Sequence, residues 1–235
     1  MKVTLLTHTP DPDKVVAIAA RQCYSANDSS GIAEKLSSED IGKFIQKLFS
    51  MGHYSPFEHV SFTFAIDGVS RALSHQLVRH RIASYSQRSQ RYVSEKEFEY
   101  VTPESILKDQ DADNIYHDIM DKIGEAYNIL VEKGIPKEDA RFLLPNACST
   151  KIIVTMNARS LFNFFNHRCC TRAQWEIREM AKLMLKEVKK VAPNIFKKSG
   201  ASCISLSYCP EGKMSCGLFP TLDNYINNLD TKEDK

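Results

Sequence analysis

Residues 39–68 read E-D-I-G-K-F-I-Q-K-L-F-S-M-G-H-Y-S-P-F-E-H-V-S-F-T-F-A-I-D-G, and within them the spacing of the apolar residues changes once. Ile41, Phe44, Ile45, Leu48 and Phe49 recur at three- and four-residue steps. That period predicts a helix over about 39–51, with Gly52 just past its end where a left-handed residue closes a helix. Val60, Phe62, Phe64 and Ile66 then alternate with smaller residues, the pattern of a half-buried strand, and Asp67-Gly68 is expected to close it. The chain therefore mixes helix and sheet, and His53 to His59 are polar residues at the junction between the two.

The same periods extend outward. Met1 to Thr9 alternates like a strand, and a helix follows with Pro12 and Asp13 in its first turn and Val15, Val16, Ile18, Ala19 and Cys23 as its apolar face. Ser25 to Gly31 reads as a loop. Beyond Gly68, Val69 to His80 reads as a helix that turns Val69, Leu73 and Leu77 to the core and Gln76, Arg79 and His80 to one polar stripe. Ile82 to Tyr92 has no period and is expected as an ordered loop, with a short strand over Phe98–Val101 after it. Ile115, Ile119, Ile123, Ala126, Tyr127 and Leu130 predict a helix over 114–133 stopped by Gly134. A short helix with Pro136 at its start carries Arg141, and Ser149 to Met156 is the last strand. One long helix is then expected from Asn157, burying Ile177, Ala181, Met184, Val188 and Val191 and ending before Pro193. The polar end, 221–235, is expected as a tail, frayed from Asn227.

A chain of 235 residues fits one domain or a closely fused pair, given ~100–200 residues per domain. Its 31 basic residues nearly balance its 29 acids, so global charge implies neither a nucleic acid nor a membrane as partner. The apolar core of Met1–Thr9 is too short for a signal segment or a membrane span. The seven scattered cysteines then read as free thiols of a reducing, cytoplasmic setting rather than a disulfide framework.

Against that balance, Ser70 to Tyr92 holds five arginines and two histidines and no acid. A solvated face mixes both signs, so a one-sign run of guanidinium forks suggests a wall for phosphates or carboxylates. Arg159 and Arg168 form a second basic group among Leu161, Phe162, Phe164 and Phe165 rather than among acids. For Arg178 and Lys182 the plainer reading, a solvated helix paired with Glu176 and Glu179, is preferred. Neither G-x-G-x-x-G nor G-x-x-x-x-G-K-[ST] occurs, so a nucleotide would be held by side chains rather than a glycine turn. Two rival readings stay open from the residues alone. One is a nucleic-acid module stacking bases on Tyr85 and Tyr92; the other is a metal-dependent phosphohydrolase built on His53, His59, His75 and His80. The spacing of His53 and His59 matches no common zinc motif, the cysteines at 203, 209 and 216 are poorly spaced for a ribbon, and no metal is expected.

Three blocks in order resemble one family. Arg79-His80-Arg81 with Ser84, Ser89 and Arg91-Tyr92 is similar to the signature of the flavin-dependent thymidylate synthases. Gly52-His53-Tyr54-Ser55-Pro56-Phe57-Glu58-His59 resembles that family's upstream segment. Asn157-Ala158-Arg159-Ser160-Leu161 through Arg168, with Ala173-Gln174-Trp175-Glu176-Ile177-Arg178, resembles its downstream helix. The likeness covers about residues 1–220, which are expected to be the catalytic domain.

The resemblance implies an α/β fold of the α+β type, a single domain with a central, largely antiparallel sheet packed with helices. It implies conversion of dUMP to dTMP with methylenetetrahydrofolate as carbon donor, FAD as hydride carrier and NADPH as reductant, in a homotetramer whose sites lie at subunit interfaces. The FAD contacts it implies are Ser55, Arg79, His80, Arg81, Gln87, Asn157, Ala158, Arg159 and Asn163. Substrate contacts fall on Gln76, Leu77, Val78 and Arg79, on Gln87, Arg88, Ser89, Gln90 and Arg91, and on Arg141 and Arg168. Arg168 is the implied catalytic cation against the uracil, and Ser89 orients substrate rather than attacking it, since a serine without a neighbouring base is a poor nucleophile. The family often has asparagine and glutamate where this chain has Ser86 and Gln87, and Gln87 hydrogen-bonds without carrying charge.

Overall fold

The structure, a computed structural model, describes residues 1–34, 36, 38–95 and 98–233. Strand β1 (Lys2–His8) leads to helices α1 (Pro12–Gln22), α2 (Ser29–Glu34) and α3 (Ser38–Ser50). A 3-10 turn (Ser55–His59) precedes β2 (Ser61–Ser70), α4 (Arg71–Leu77) and β3 (Ser84–Gln87). Helices α5 (Glu104–Leu107), α6 (Gln110–Glu132) and α7 (Lys137–Ala140) come before β4 (Ser149–Asn157), and α8 (Ala158–Arg168), α9 (Trp175–Val191), α10 (Ser202–Leu206) and α11 (Leu222–Glu233) complete the chain. The strands form one antiparallel sheet in the order β1-β2-β4-β3, packed with helices, which is the α/β architecture expected.

Several boundaries differ from the sequence reading, each for a local reason. β2 does not stop at Asp67-Gly68: Gly68 takes φ 68 inside the strand, a conformation that costs glycine little, and the strand runs on to Ser70. Ser70 then caps α4 by accepting the Leu73 N–H at 3.0 Å, and the helix ends at Leu77, so Gln76 lies on it while Arg79 and His80 lie beyond it. The expected loop 82–92 contains β3, and α2 begins inside the expected loop 25–31. In place of a short strand at 98–101 there is one bridge, Tyr100 to Cys148. The long helix expected from Asn157 is two, α8 and α9, because Gln174 caps a new start by accepting the Glu176 and Ile177 N–H groups at 3.1 Å. The expected tail holds α11, while Asp234 and Lys235 lie outside the described residues.

Contacts divide the chain into two compact units, Met1–Lys2, Ala65–Arg81 and Tyr85–Val154 in the first, and Val3–Phe64, Ile82–Ser84 and Thr155–Lys235 in the second. The first buries Ile66, Val69, Leu73, Leu77, Tyr127, Ile152 and Val154. On α6 the buried residues are Met120 and Tyr127, whereas Ile115 and Ile119, read as core from their period, are exposed. In the second unit α1 buries Val16, as expected, together with Ala17 and Ala20, while Cys23 at the end of the expected face is exposed. Here Phe49, Phe57, Phe162 and Phe196 are joined by ring contacts of 4.7 to 5.5 Å that tie α3, the 3-10 turn and α8 together. Asp13 adds a polar tie, accepting from Asn194 N–H, Asn194 Nδ2 and Ile195 N–H at 2.8 to 3.2 Å. Among the described residues no helix is long and apolar enough to cross a membrane.

Candidate active site

The first unit holds Arg79–Arg81 and Tyr85–Tyr92 of the signature stretch, Ile82–Ser84 being grouped with the second, and the shape of this stretch follows from where its backbone groups are satisfied. Arg71 and Ala72 donate their N–H groups to the Cys148 and Asn146 carbonyls, which docks the start of α4 beside the start of β4. After α4 the chain turns through Arg79, His80 and Arg81, of which Arg79 and Arg81 are exposed. The Tyr85 hydroxyl closes this turn, lying 2.9 Å from the Leu77 carbonyl and 2.7 Å from that of His80 and donating its one proton to either. Burial pushes that phenol up to about 12, so it stays protonated and donating at neutral pH. Tyr85 is thus a strut of the turn rather than an open stacking platform; Tyr92 is 74% exposed.

Gln87 and Arg88 keep the loop on β4: the Gln87 amide donates to Thr150 Oγ1 at 3.3 Å and the Arg88 N–H to the Lys151 carbonyl at 2.9 Å. The Arg88 side chain turns inward, its Nη2 2.9 Å from Glu95 Oε2, while Arg71 Nη2 donates to the Arg88 carbonyl at 2.9 Å. Gln90 Nε2 reaches Cys148 Sγ at 3.3 Å, and burial pushes that thiol up to about 11, so Cys148 is no nucleophile. Arg91 points outward and sets Nε and Nη2 on one oxygen of Glu138, at 2.9 and 2.8 Å, a contact that holds its guanidinium above the ordinary value. Arg141, just past α7, donates Nε to the Glu138 carbonyl at 3.1 Å, so Glu138 gathers both arginines. The Ser89 hydroxyl accepts the Arg91 N–H at 3.2 Å; that partner is a donor and not a base. Of the other expected contacts, Leu77 is fully buried, Val78 is exposed, and Gln76 is half-buried.

The second unit holds the other basic group. Phe57, fully buried, anchors the 3-10 turn, and the Ala158 N–H donates to the Val60 carbonyl at 2.9 Å, which sets the end of that turn at the start of α8. Asn157 caps α8, its Oδ1 accepting the Ser160 N–H at 2.8 Å and leaving Nδ2 to reach a ligand. Arg159 forms an ion pair with Glu58, and Arg159 and Asn163, one turn apart, are both exposed, as is Ser55. Ala158 is buried and can offer a ligand only its backbone. Arg168 ends α8, half-buried, and burial lowers its guanidinium from the ordinary value without approaching neutrality. Arg178, read as a partner of nearby acids, instead donates to the Thr171 carbonyl at 2.8 Å, and Glu176 is buried.

The structure thus brings Gln87 to Arg91 together with Arg141 in one unit and Ser55 to Glu58 together with Asn157 to Asn163 in the other. Sequence reasoning missed Arg71, Glu95 and Glu138. One signal was available for Glu95, the first acid after Asp67. Among the described residues no group of three or more His, Cys, Asp or Glu side chains could hold a metal ion.

Each set by itself offers donors that suit anionic, oxygen-rich groups: in the first unit exposed guanidinium groups at 79 and 81 and the amide at 87, in the second the exposed guanidinium at 159 and the amides at 157 and 163. The comparisons agree with that chemistry. A family model described as thymidylate synthase complementing protein matches residues 4–194. A flavin-dependent thymidylate synthase of Clostridium tetani is 55% identical over 233 residues, covering 92% of this chain and 93% of its own. That of Geobacter sulfurreducens is 54% identical over 219 residues, covering 92% and 94%. The relative of that name from Pyrococcus furiosus is 45% identical over 219 residues, 90% of each chain. With likeness of this extent running through both arginine-bearing units, the chain belongs to the flavin-dependent thymidylate synthase family.

Proposed function

We propose that this chain makes dTMP from dUMP by reductive methylation, with methylenetetrahydrofolate as carbon donor, FAD as hydride carrier and NADPH as reductant. The observation that carries it is the acid-free donor row from Arg79 to Arg91, in a chain 55% identical to a flavin-dependent thymidylate synthase. FAD, when bound, supplies the site with hydride transfer. Ser55, Arg79, His80, Arg81, Gln87, Asn157, Ala158, Arg159 and Asn163 would hold it, the arginines supplying positive charge for its phosphates. Arg91 and Arg141 take the dUMP phosphate. Arg91 is held by the Glu138 carboxylate and Arg141 by the Glu138 backbone carbonyl, and because an exposed ion pair such as Arg91–Glu138 is weak, a dianion displaces the carboxylate from Arg91 at little cost.

Ser89 and Gln90 orient the nucleotide from the same loop. Arg168 carries the cation that favours loss of the uracil N3 proton and polarises the ring. Its position at the C-terminal end of α8 suits a cation, since the carbonyl end of a helix favours one. The protein needs no nucleophile of its own. We assign the catalytic part to residues 1–220, leaving α11 outside it, and take the active form to be a cytoplasmic homotetramer with its sites at subunit interfaces. The exposed Ile115, Ile119 and Phe142 of the first unit support an assembly that covers them.

The purified protein is expected to be yellow, absorbing near ~450 nm, to oxidise NADPH, and to form dTMP only when dUMP and methylenetetrahydrofolate are both present. A colourless protein that takes up no added FAD and oxidises no NADPH overturns the reading.

A further inference from the structure

Glu95 is 2% exposed and sits at the end of the nucleotide loop with its Oε2 on Arg88, the residue that opens the loop. Between them the Val93 N–H donates to the Ser89 carbonyl at 3.1 Å, and the Glu95 N–H donates to the hydroxyl of fully buried Tyr127 at 3.3 Å. Arg71 holds the Arg88 carbonyl from below. We propose that Glu95 is a positioning residue for nucleotide binding: by drawing the Arg88 guanidinium inward it closes residues 88–95 into a loop whose outward side is Ser89 and Arg91. This rests on the assignment of Ser89 and Arg91 to dUMP given above. It also gives Arg88 a different task from its neighbours, inward to Glu95 rather than outward to phosphate.

The contact is costly as a stabilising device, which is why a role in geometry is the better account. Glu95 Oε1, Arg88 Nε and Arg71 Nε are buried without a hydrogen-bond partner among the described residues. Burial raises the Glu95 carboxyl above its ordinary value even though Arg88 and Arg71 pull it down. An acid whose folded pKa is raised stabilises the fold below its unfolded pKa and loses that contribution as pH rises through the folded pKa, so the charged form of this carboxyl costs stability. A pair kept at such a cost, and spanning the residues assigned to substrate, is explained by what it holds in place.

The test uses the FAD-loaded enzyme and three readouts. In Glu95→Gln the KM for dUMP is expected to rise about tenfold or more, the scale of losing one charge-assisted hydrogen bond. Nucleotide-free flavin reduction by NADPH is expected to stay near the wild-type rate, and the thermal midpoint to be unchanged or higher, because the amide resembles the protonated carboxyl that burial favours. Amide exchange over 89–94 is expected to quicken. The double variant Arg88→Leu/Glu95→Leu removes both buried charges and is expected to keep the KM defect with no loss of thermal midpoint. Unchanged exchange and KM in Glu95→Gln overturn the proposal. So does a joint loss of dUMP affinity, flavin reduction and midpoint in Glu95→Gln that the double variant repairs, since that is the behaviour of a purely structural pair. A wild-type enzyme that binds no dUMP overturns the functional reading instead, while faster exchange in the variant would still stand as evidence for the latch.

Discussion

Arg91 and Arg88 are three residues apart, yet one sets its guanidinium on exposed Glu138 and the other on buried Glu95. Identical side chains therefore have opposite duties, and residue type alone did not separate them. Arg168 has the sharpest single-residue prediction. With alanine there, flavin reduction by NADPH is expected to continue near the wild-type rate while dTMP formation falls by about two orders of magnitude or more, as for other losses of one transition-state contact; stopped-flow absorbance and product assay separate the two. Ser89→Ala is expected to slow product formation without abolishing it, since the hydroxyl meets a donor and not a base. Tyr85 offers a test in pH. Its phenol, pushed up to about 12, adds stability that is complete below its unfolded value near ~10 and lost as pH climbs through the folded one. Tyr85→Phe should therefore cost about 1 kcal/mol at pH 7 and flatten the alkaline limb of stability in denaturant titrations.

At the scale of elements, caps and anchors decide where the binding groups sit. Asn157→Ala removes the cap of α8 and is expected to cost about 1 kcal/mol in denaturant unfolding, with weaker flavin retention because Arg159 and Asn163 ride on that helix. Phe57→Ala, in a fully buried site beneath the 3-10 turn, is expected to cost about 3–5 kcal/mol. How far the elements were legible depended on whether a local rule governed them. Helix α3 was plain because its apolar period and Gly52, at φ 68, agree. The extension of β2 was hidden because Asp67-Gly68 has turn chemistry, and in the fold the glycine's left-handed freedom is used inside a strand. The break between α8 and α9 falls at residues that include neither glycine nor proline, so only the Gln174 cap marks it. On α6 the period placed Tyr127 in the core as expected, but Met120 joins it while Ile115 and Ile119 stay exposed, because tertiary contact as well as periodicity chooses the buried face. The site was legible where like charge concentrates, at Arg79 to Arg91 and at Arg159. Its long-range acids were not, since Glu138 meets Arg91 across 47 positions.

At the scale of the whole molecule, the proposed tetramer predicts a light-scattering mass of four times the 26.7 kDa chain, and charged substitution at Ile119 should lower both that mass and dTMP formation if the exposed isoleucines are covered by assembly. All seven cysteines are free, so the thermal midpoint is expected to be the same with and without a reductant. Their depths differ widely: Cys23 and Cys216 are exposed, whereas Cys148 is fully buried, in contact with Gln90 of the loop over 88–95. A maleimide should therefore mark the two surface thiols at once and reach Cys148 only during the moments when the loop lifts. The rate of that late alkylation, followed by peptide mass, would time the breathing of the loop in the unmodified sequence, and its slowing by dUMP would show the nucleotide latching the door from outside.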